Sequence, residues 1–166
     1  MNLKIHLVSP LRIKLDKKLE ITLTIPSLPE LVGVVRLAIS GVAARMNFTI
    51  DEIEDIKISV SEACTNVIQH AYGNGSNPHE NTIEIKAFIN EDTLEIIVKD
   101  FGNGFDLSIL GTPEQRKKSE EKMGLGLGLT FIKSLMDDAH FESIEGKGTT
   151  IQMSKRSLNY TPTSVS

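Results

Sequence analysis

The stretch 59-SVSEACTNVIQHAYGNG-75 decides how the rest of the chain is read. It continues a helical pattern capped near Asp51, running to about Tyr72 and stopped by the turn residues 73-GNGSNP-78. At about 100° per residue, Ile53, Ile56, Val60, Cys64, Val67 and Ala71 share one side. Asp55, Ser59, Glu62, Asn66 and His70 share the other. Such a polar face is ordinarily solvated. Here, however, an amide rather than a lysine stands four residues after Glu62, so no intrahelical ion pair forms.

Outward from this helix, 20-EITLTI-25 alternates and predicts a strand. Ser27, with Pro29 and Glu30 behind it, predicts the start of a helix through about Arg45. Residues 82-TIEIKAFI-89 and 93-TLEIIVKD-100 read as strands joined by the turn 90-NED-92, most simply a hairpin. The segment from Gly102 to Met123 has no strong period and contains Pro113 and a run of charge. A long loop of this kind suits a lid over a ligand. A helix is predicted from Leu125 to Asp138, then strands at 140–144 and 149–155 around the turn 145-EGKG-148. The order β-α-α-β-β-(lid)-α-β-β implies a two-layer α/β sandwich: one mixed, mostly antiparallel sheet with helices on one face. Residues 1–19 form an extension, 20–155 the domain and 156–166 a frayed polar tail.

The 166 residues, 40% hydrophobic, suffice for one core. A net charge of -4 offers no basic surplus for phosphate neutralisation and argues against nucleic-acid binding. Cys64 is the only cysteine, which excludes an internal disulfide, and its apolar neighbours make it a buried small hydrophobe. No apolar run reaches the roughly 20 residues that span a bilayer, and no signal-peptide pattern opens the chain. A soluble, cytoplasmic protein with no membrane association is expected.

Three pieces carry chemistry. Magnesium prefers hard oxygen ligands and keeps several waters, so the Asn66 carbonyl plus nucleotide phosphates would suffice to hold it. Glu62, one turn away, is placed to orient or deprotonate a nucleophile attacking a γ-phosphate. In the strand 93–100, Leu94, Ile96, Val98 and Asp100 share one face, and the carboxylate at its end needs a partner. The adenine amino group would serve, with Gly102 and Gly104 turning beneath the base; a plain capped turn uses the same residues. Glycines 124, 126 and 128 open a helix, where bare N–H groups and the helix dipole suit a triphosphate, although a hinge has the same composition. Gly146, Gly148 and Thr149 read most simply as turn chemistry, with the Thr149 hydroxyl beside Asp100 only if their strands are neighbours. His70 reaches phosphate from the same face or is a surface group. Arg116, Lys117 and Lys118 either clamp the γ-phosphate or form a solvated run of charge.

In chain order, Glu62-x-x-x-Asn66, Asp100-x-Gly102-x-Gly104, Gly124-x-Gly126-x-Gly128 and Gly146-x-Gly148-Thr149 look like the boxes of the GHKL ATP-binding superfamily. The strings 54-EDIKISVSEACTNVIQHAY-72 and 134-SLMDD-138 more narrowly resemble the anti-sigma factor serine kinases of bacteria. The resemblance covers about residues 20–155. It implies a Bergerat-type sandwich that binds ATP and Mg2+, with Glu62 as general base and Asn66 as magnesium ligand. It further implies Asp100, Gly102, Gly104 and Thr149 at the adenine, and Gly124, Gly126 and Gly128 at the phosphates. The implied activity is phosphorylation of a serine on an anti-anti-sigma (STAS-domain) protein, and the implied second partner is a sigma factor held by a homodimer.

Two features depart from that pattern. The G-L-G-L-G-L run resembles histidine kinases more than many anti-sigma kinases, yet no phospho-accepting helix pair is found in the chain. The leader before Ile21 is longer than the family core requires. Two other functions stay open: a module that uses nucleotide only as a conformational ligand, and a detached histidine-kinase-like domain without serine kinase turnover. Glu62 favours an enzyme, because holding ATP alone does not need it.

Overall fold

The computed structural model describes residues 19–72, 77–104 and 125–159. The expected N-terminal extension up to residue 18, Gly124, the lid cations Arg116, Lys117 and Lys118, and the tail from residue 160 lie outside the described residues. The elements in chain order are β1 (Leu19–Pro26), α1 (Pro29–Ala43), α2 (Ile50–His70), β2 (Thr82–Ile89), β3 (Thr93–Asp100), α3 (Leu125–Leu135), β4 (Asp138–Ile144) and β5 (Gly148–Arg156).

The strands form one five-stranded sheet in the order β1-β2-β3-β5-β4. The two-layer sandwich is as expected, but the sheet is not mixed: every neighbouring pair of described strands is antiparallel. The connections explain this. With the two helices α1 and α2 between them the chain reverses three times, so β2 returns against β1 rather than along it. After β3, α3 carries the chain back and β4 runs in the direction of β3. Parallel pairing is avoided because the hairpin partner β5 is inserted between them.

Helix starts differ from the sequence expectation. Ser27 does not cap α1; its amide bonds Asn81 O at 2.7 Å and its side chain is buried, so Leu28 takes the N-cap position before Pro29. Asp51 does not cap α2. Thr49 does, through a reciprocal box in which Thr49 Oγ1 accepts the Glu52 amide and Glu52 Oε2 accepts the Thr49 amide. The T-x-x-E spacing was the available signal. Helix α3 ends at Leu135 instead of Asp138, because Asp137 N–H turns to Ser154 O and β4 begins.

One face of β2 and β3 is buried and the other only partly so. Ile83, Ile85, Leu94, Ile96 and Val98 (all 0% exposed) meet Val35, Ile56, Val60 and Cys64 of the helices, also at 0%. Each such aliphatic side chain contributes roughly 1.5–3 kcal/mol by leaving water. Burial pushes the Cys64 thiol up to about 12, so it behaves as the inert hydrophobe expected. This core fixes α2 across the sheet, and α2 carries the polar groups that follow.

Candidate active site

The polar face of α2 is not solvated. Helix α3 lies across it, antiparallel, with Gly128 against Glu62 and Asn66 and the Leu135 carbonyl near Asp55 through a shared lysine, Lys155. Ser59 is fully buried, Asn66 is 8% exposed and Glu62 is partly buried. A Cβ placed on Gly128 would stand 2.8 Å from Glu62 Oε2 and 3.1 Å from Asn66 Nδ2. The side chain missing at 128 therefore gives the acid–amide pair its space. Gly126 falls in the first turn of the same helix.

Among the described residues, three buried atoms of this face lack a hydrogen-bond partner: Ser59 Oγ, Asn66 Nδ2 and His70 Nε2. An unpaired buried polar group costs about 1–3 kcal/mol, so native structures rarely keep several together. Burial also holds the His70 imidazole below its ordinary value, which leaves it neutral at pH 7 with one N–H to donate.

Asp100 lies at the end of β3 with 1% exposure. Its Oδ1 accepts the Gly102 amide at 2.8 Å, while Oδ2 is buried without a partner among the described residues. Burial raises the carboxyl above its ordinary value, opposed by the Gly102 amide and by the nearby amide and hydroxyl of Thr149. The turn after Asp100 rests on the end of α2, with Asn103 N–H donating to Ala71 O at 2.9 Å. A Cβ on Gly102 would approach that same carbonyl to 1.9 Å, and Gly104 has a φ of +66° with Ile144 O against it. Both glycines permit backbone-on-backbone contact rather than flexibility.

Strands β3 and β5 are neighbours, with Lys99 opposite Thr150, so the next pair sets Thr149 beside Asp100. Thr149 is buried, and its hydroxyl lies 3.0 Å from that of Ser143. The reading of Gly148 as simple turn chemistry is incomplete. At φ +90°, a Cβ there would stand 2.3 Å from Asp100 O and 2.8 Å from its Oδ1, so Gly148 makes room for the acid. Only strand pairing reveals this; the turn sequence 145-EGKG-148 does not.

From Asn66 to Ala71 the helix rises roughly 7–8 Å, at about 1.5 Å per residue. One rigid element thus joins the acid–amide pair to the seat of the Asp100 turn. Glu62, Asn66, His70 and Gly128 gather at the α2–α3 contact; Asp100, Gly102, Gly104, Gly148 and Thr149 gather where β3, β5 and the last turn of α2 meet.

A family model described as the histidine kinase-like ATPase domain matches residues 25–155, and the chain belongs to that family. ATP is accordingly the nucleotide of this domain. The serine-protein kinase RsbW of Bacillus velezensis is 45% identical over 139 residues, covering 81% of this chain and 84% of that protein. The protein of the same name from Bacillus subtilis strain 168 is 42% identical over the same shares. Within the family, the chain thus falls among the serine-protein kinases of RsbW type. A crystal structure of the RsbU and RsbW domains of a Mycobacterium tuberculosis protein shares the fold, with a TM-score of 0.61 and 18% identity over 84% of this chain and 32% of that one. Among the described residues, no helix is long and apolar enough to cross a membrane.

Proposed function

We propose that this chain transfers the γ-phosphate of MgATP to a serine of an anti-anti-sigma (STAS-domain) protein in the cytoplasm, and that as a homodimer it sequesters a sigma factor. The observation that carries this reading is the set of buried atoms without a partner among the described residues: the Asn66 Nδ2 and His70 Nε2 nitrogens near Glu62, joined by α2 to the open Oδ2 of Asp100. Asp100 Oδ2 accepts the adenine amino N–H, with the Thr149 hydroxyl beside it. His70 donates its N–H to a phosphate oxygen, and the amides in the first turn of α3, those of Gly126 and Gly128 among them, face the phosphates.

No three His, Cys, Asp or Glu side chains gather into a metal-binding group among the described residues. A single amide oxygen with phosphate oxygens and waters is enough for magnesium, and Asn66 Oδ1 is that oxygen. When bound, the ion neutralises charge on the β- and γ-phosphates. Glu62 accepts the proton of the serine hydroxyl as its Oγ bonds to the γ-phosphorus. The bond to the β–γ bridging oxygen breaks and ADP leaves with that electron pair.

A second copy has a face to meet. Val34 and Leu37 of α1 are 56% and 68% exposed, and β1, with Leu19 and Ile21 exposed, is at the edge of the sheet among the described strands. Sedimentation at micromolar concentration giving a monomer mass would refute the dimer. For the kinase reading, the full chain is incubated with radiolabelled ATP, magnesium and a purified STAS-domain anti-anti-sigma protein. Phosphoserine on the substrate is the expected product. ATP binding without transfer to any such protein would leave a nucleotide-gated binding module instead.

A further inference from the structure

We infer that the Tyr72 hydroxyl is a positioning group for adenine recognition, spanning a ladder rung left open just beyond Asp100. The proposal rests on the reading of Asp100 as the adenine acceptor. Strands β2 and β3 pair regularly up to Ile83 opposite Asp100, so the next rung would set Thr82 opposite Phe101. There the Phe101 amide donates to Tyr72 Oη at 3.2 Å, and that hydroxyl donates to Thr82 O at 2.5 Å. One side-chain oxygen thus stands between two backbone groups that elsewhere in the ladder would bond each other.

The geometry has a consequence for the acid. Tyr72 packs its ring against the core and follows directly on Ala71, whose carbonyl receives the Asn103 amide. Residues 101 and 103, on either side of Gly102, are therefore both tied to the end of α2. Without the hydroxyl, Phe101 N–H and Thr82 O are left to close on each other. Closing that rung draws residue 101 toward β2 and turns the Asp100 carboxylate away from its present aim. Tyr72 is too far along the helix from Glu62 and Asn66 to act on them directly: it lies ten and six residues beyond, roughly 15 and 9 Å of helical rise. The effect falls on base recognition and not on the phosphates.

The test compares the full-length wild type with Tyr72→Phe, which keeps the ring and removes only the oxygen. Calorimetry measures MgATP, MgITP (oxygen in place of the adenine amino group) and magnesium tripolyphosphate, which has no base. The preference for ATP over ITP should fall about threefold to tenfold, the net contribution of one hydrogen bond. Tripolyphosphate affinity should be unchanged, and in a kinase assay KM for ATP should rise with kcat held. An unaltered ATP-over-ITP preference overturns the proposal. So does an equal fall for all three ligands, which would mark Tyr72 as merely structural. A wild type that prefers neither nucleotide overturns the Asp100 reading itself, and the proposal with it.

Discussion

The two halves of helix α2 treat their buried polar atoms in opposite ways. Ahead of Ser59, Glu52 and Asp55 are both satisfied. Glu52 accepts the Thr49 amide at 2.6 Å and the Leu158 amide at 3.0 Å. Asp55 receives the Lys155 ammonium at 2.8 Å, and that lysine also caps the last carbonyl of α3 at Leu135. Burial pushes the Glu52 carboxyl up, but the amides of Thr49 and Leu158 outweigh it and leave the group below its ordinary value. From Ser59 onward, Ser59 Oγ, Asn66 Nδ2 and His70 Nε2 are buried and have no partner among the described residues. The first half is finished by the fold. The second keeps donors and a hydroxyl without a partner among the described residues.

The largest effect that could break this contrast is on chemistry. Glu62→Gln should keep MgATP affinity while slowing phosphotransfer about 10²-fold or more, the range for a positioned base. A rate within a few-fold of wild type in a single-turnover assay would remove Glu62 from that role. Asn66→Ala should weaken MgATP by roughly tenfold to a hundredfold, as loss of a contact to a charged group does. Calorimetry finding wild-type affinity would show that the amide is unpaired for another reason.

At Asp100 the prediction concerns pH. If Asp100 accepts the adenine amino group as proposed, it does so ionised, and because burial raises its carboxyl, ATP affinity should begin to fall at a pH above the ordinary 3.8. Asp100→Asn should abolish that pH dependence. Stability moves in the other direction, because a raised acid favours the folded state when protonated and loses that contribution as pH climbs through its folded value. A titration in which affinity rises on acidification would contradict the acceptor role.

In the finished half, Glu52→Ala should cost about 1–2 kcal/mol in denaturant unfolding with KM unchanged, since it strands the Thr49 and Leu158 amides. The Glu52 contribution should fade as pH falls, the reverse of Asp100, because its folded value is depressed. The smallest effect belongs to Ser59→Ala. Removing an unpaired buried hydroxyl should leave stability within about 1 kcal/mol of wild type, or raise it. A large loss of kinase activity there would extend the working face one turn further.

Much of this was legible in the chain. The strands 82–89 and 93–100 appear at the residues expected, because strict alternation leaves no other register for a half-buried hairpin. Glu62 and Asn66 could be singled out because an acid and an amide one turn apart make a poor solvated pair. What was misjudged depended on distant partners. Ser27 was lost as a cap because its amide bonds Asn81, and residue 156, expected in the tail, belongs to β5 and pairs with Asp92. Gly148 looked like a turn residue until β5 came to lie against Asp100.

By itself the sequence determined which groups exist and their spacing along each element: the acid–amide helix, the acid at a strand end and the glycines. Local rules suffice for that, since helix and strand periods are set by backbone geometry. Only the tertiary structure decided that α3 buries the polar face of α2, that Gly128 clears space for Glu62, and that Thr149 and Gly148 flank Asp100. Those facts arise from which surfaces exclude water together, and no local spacing encodes them.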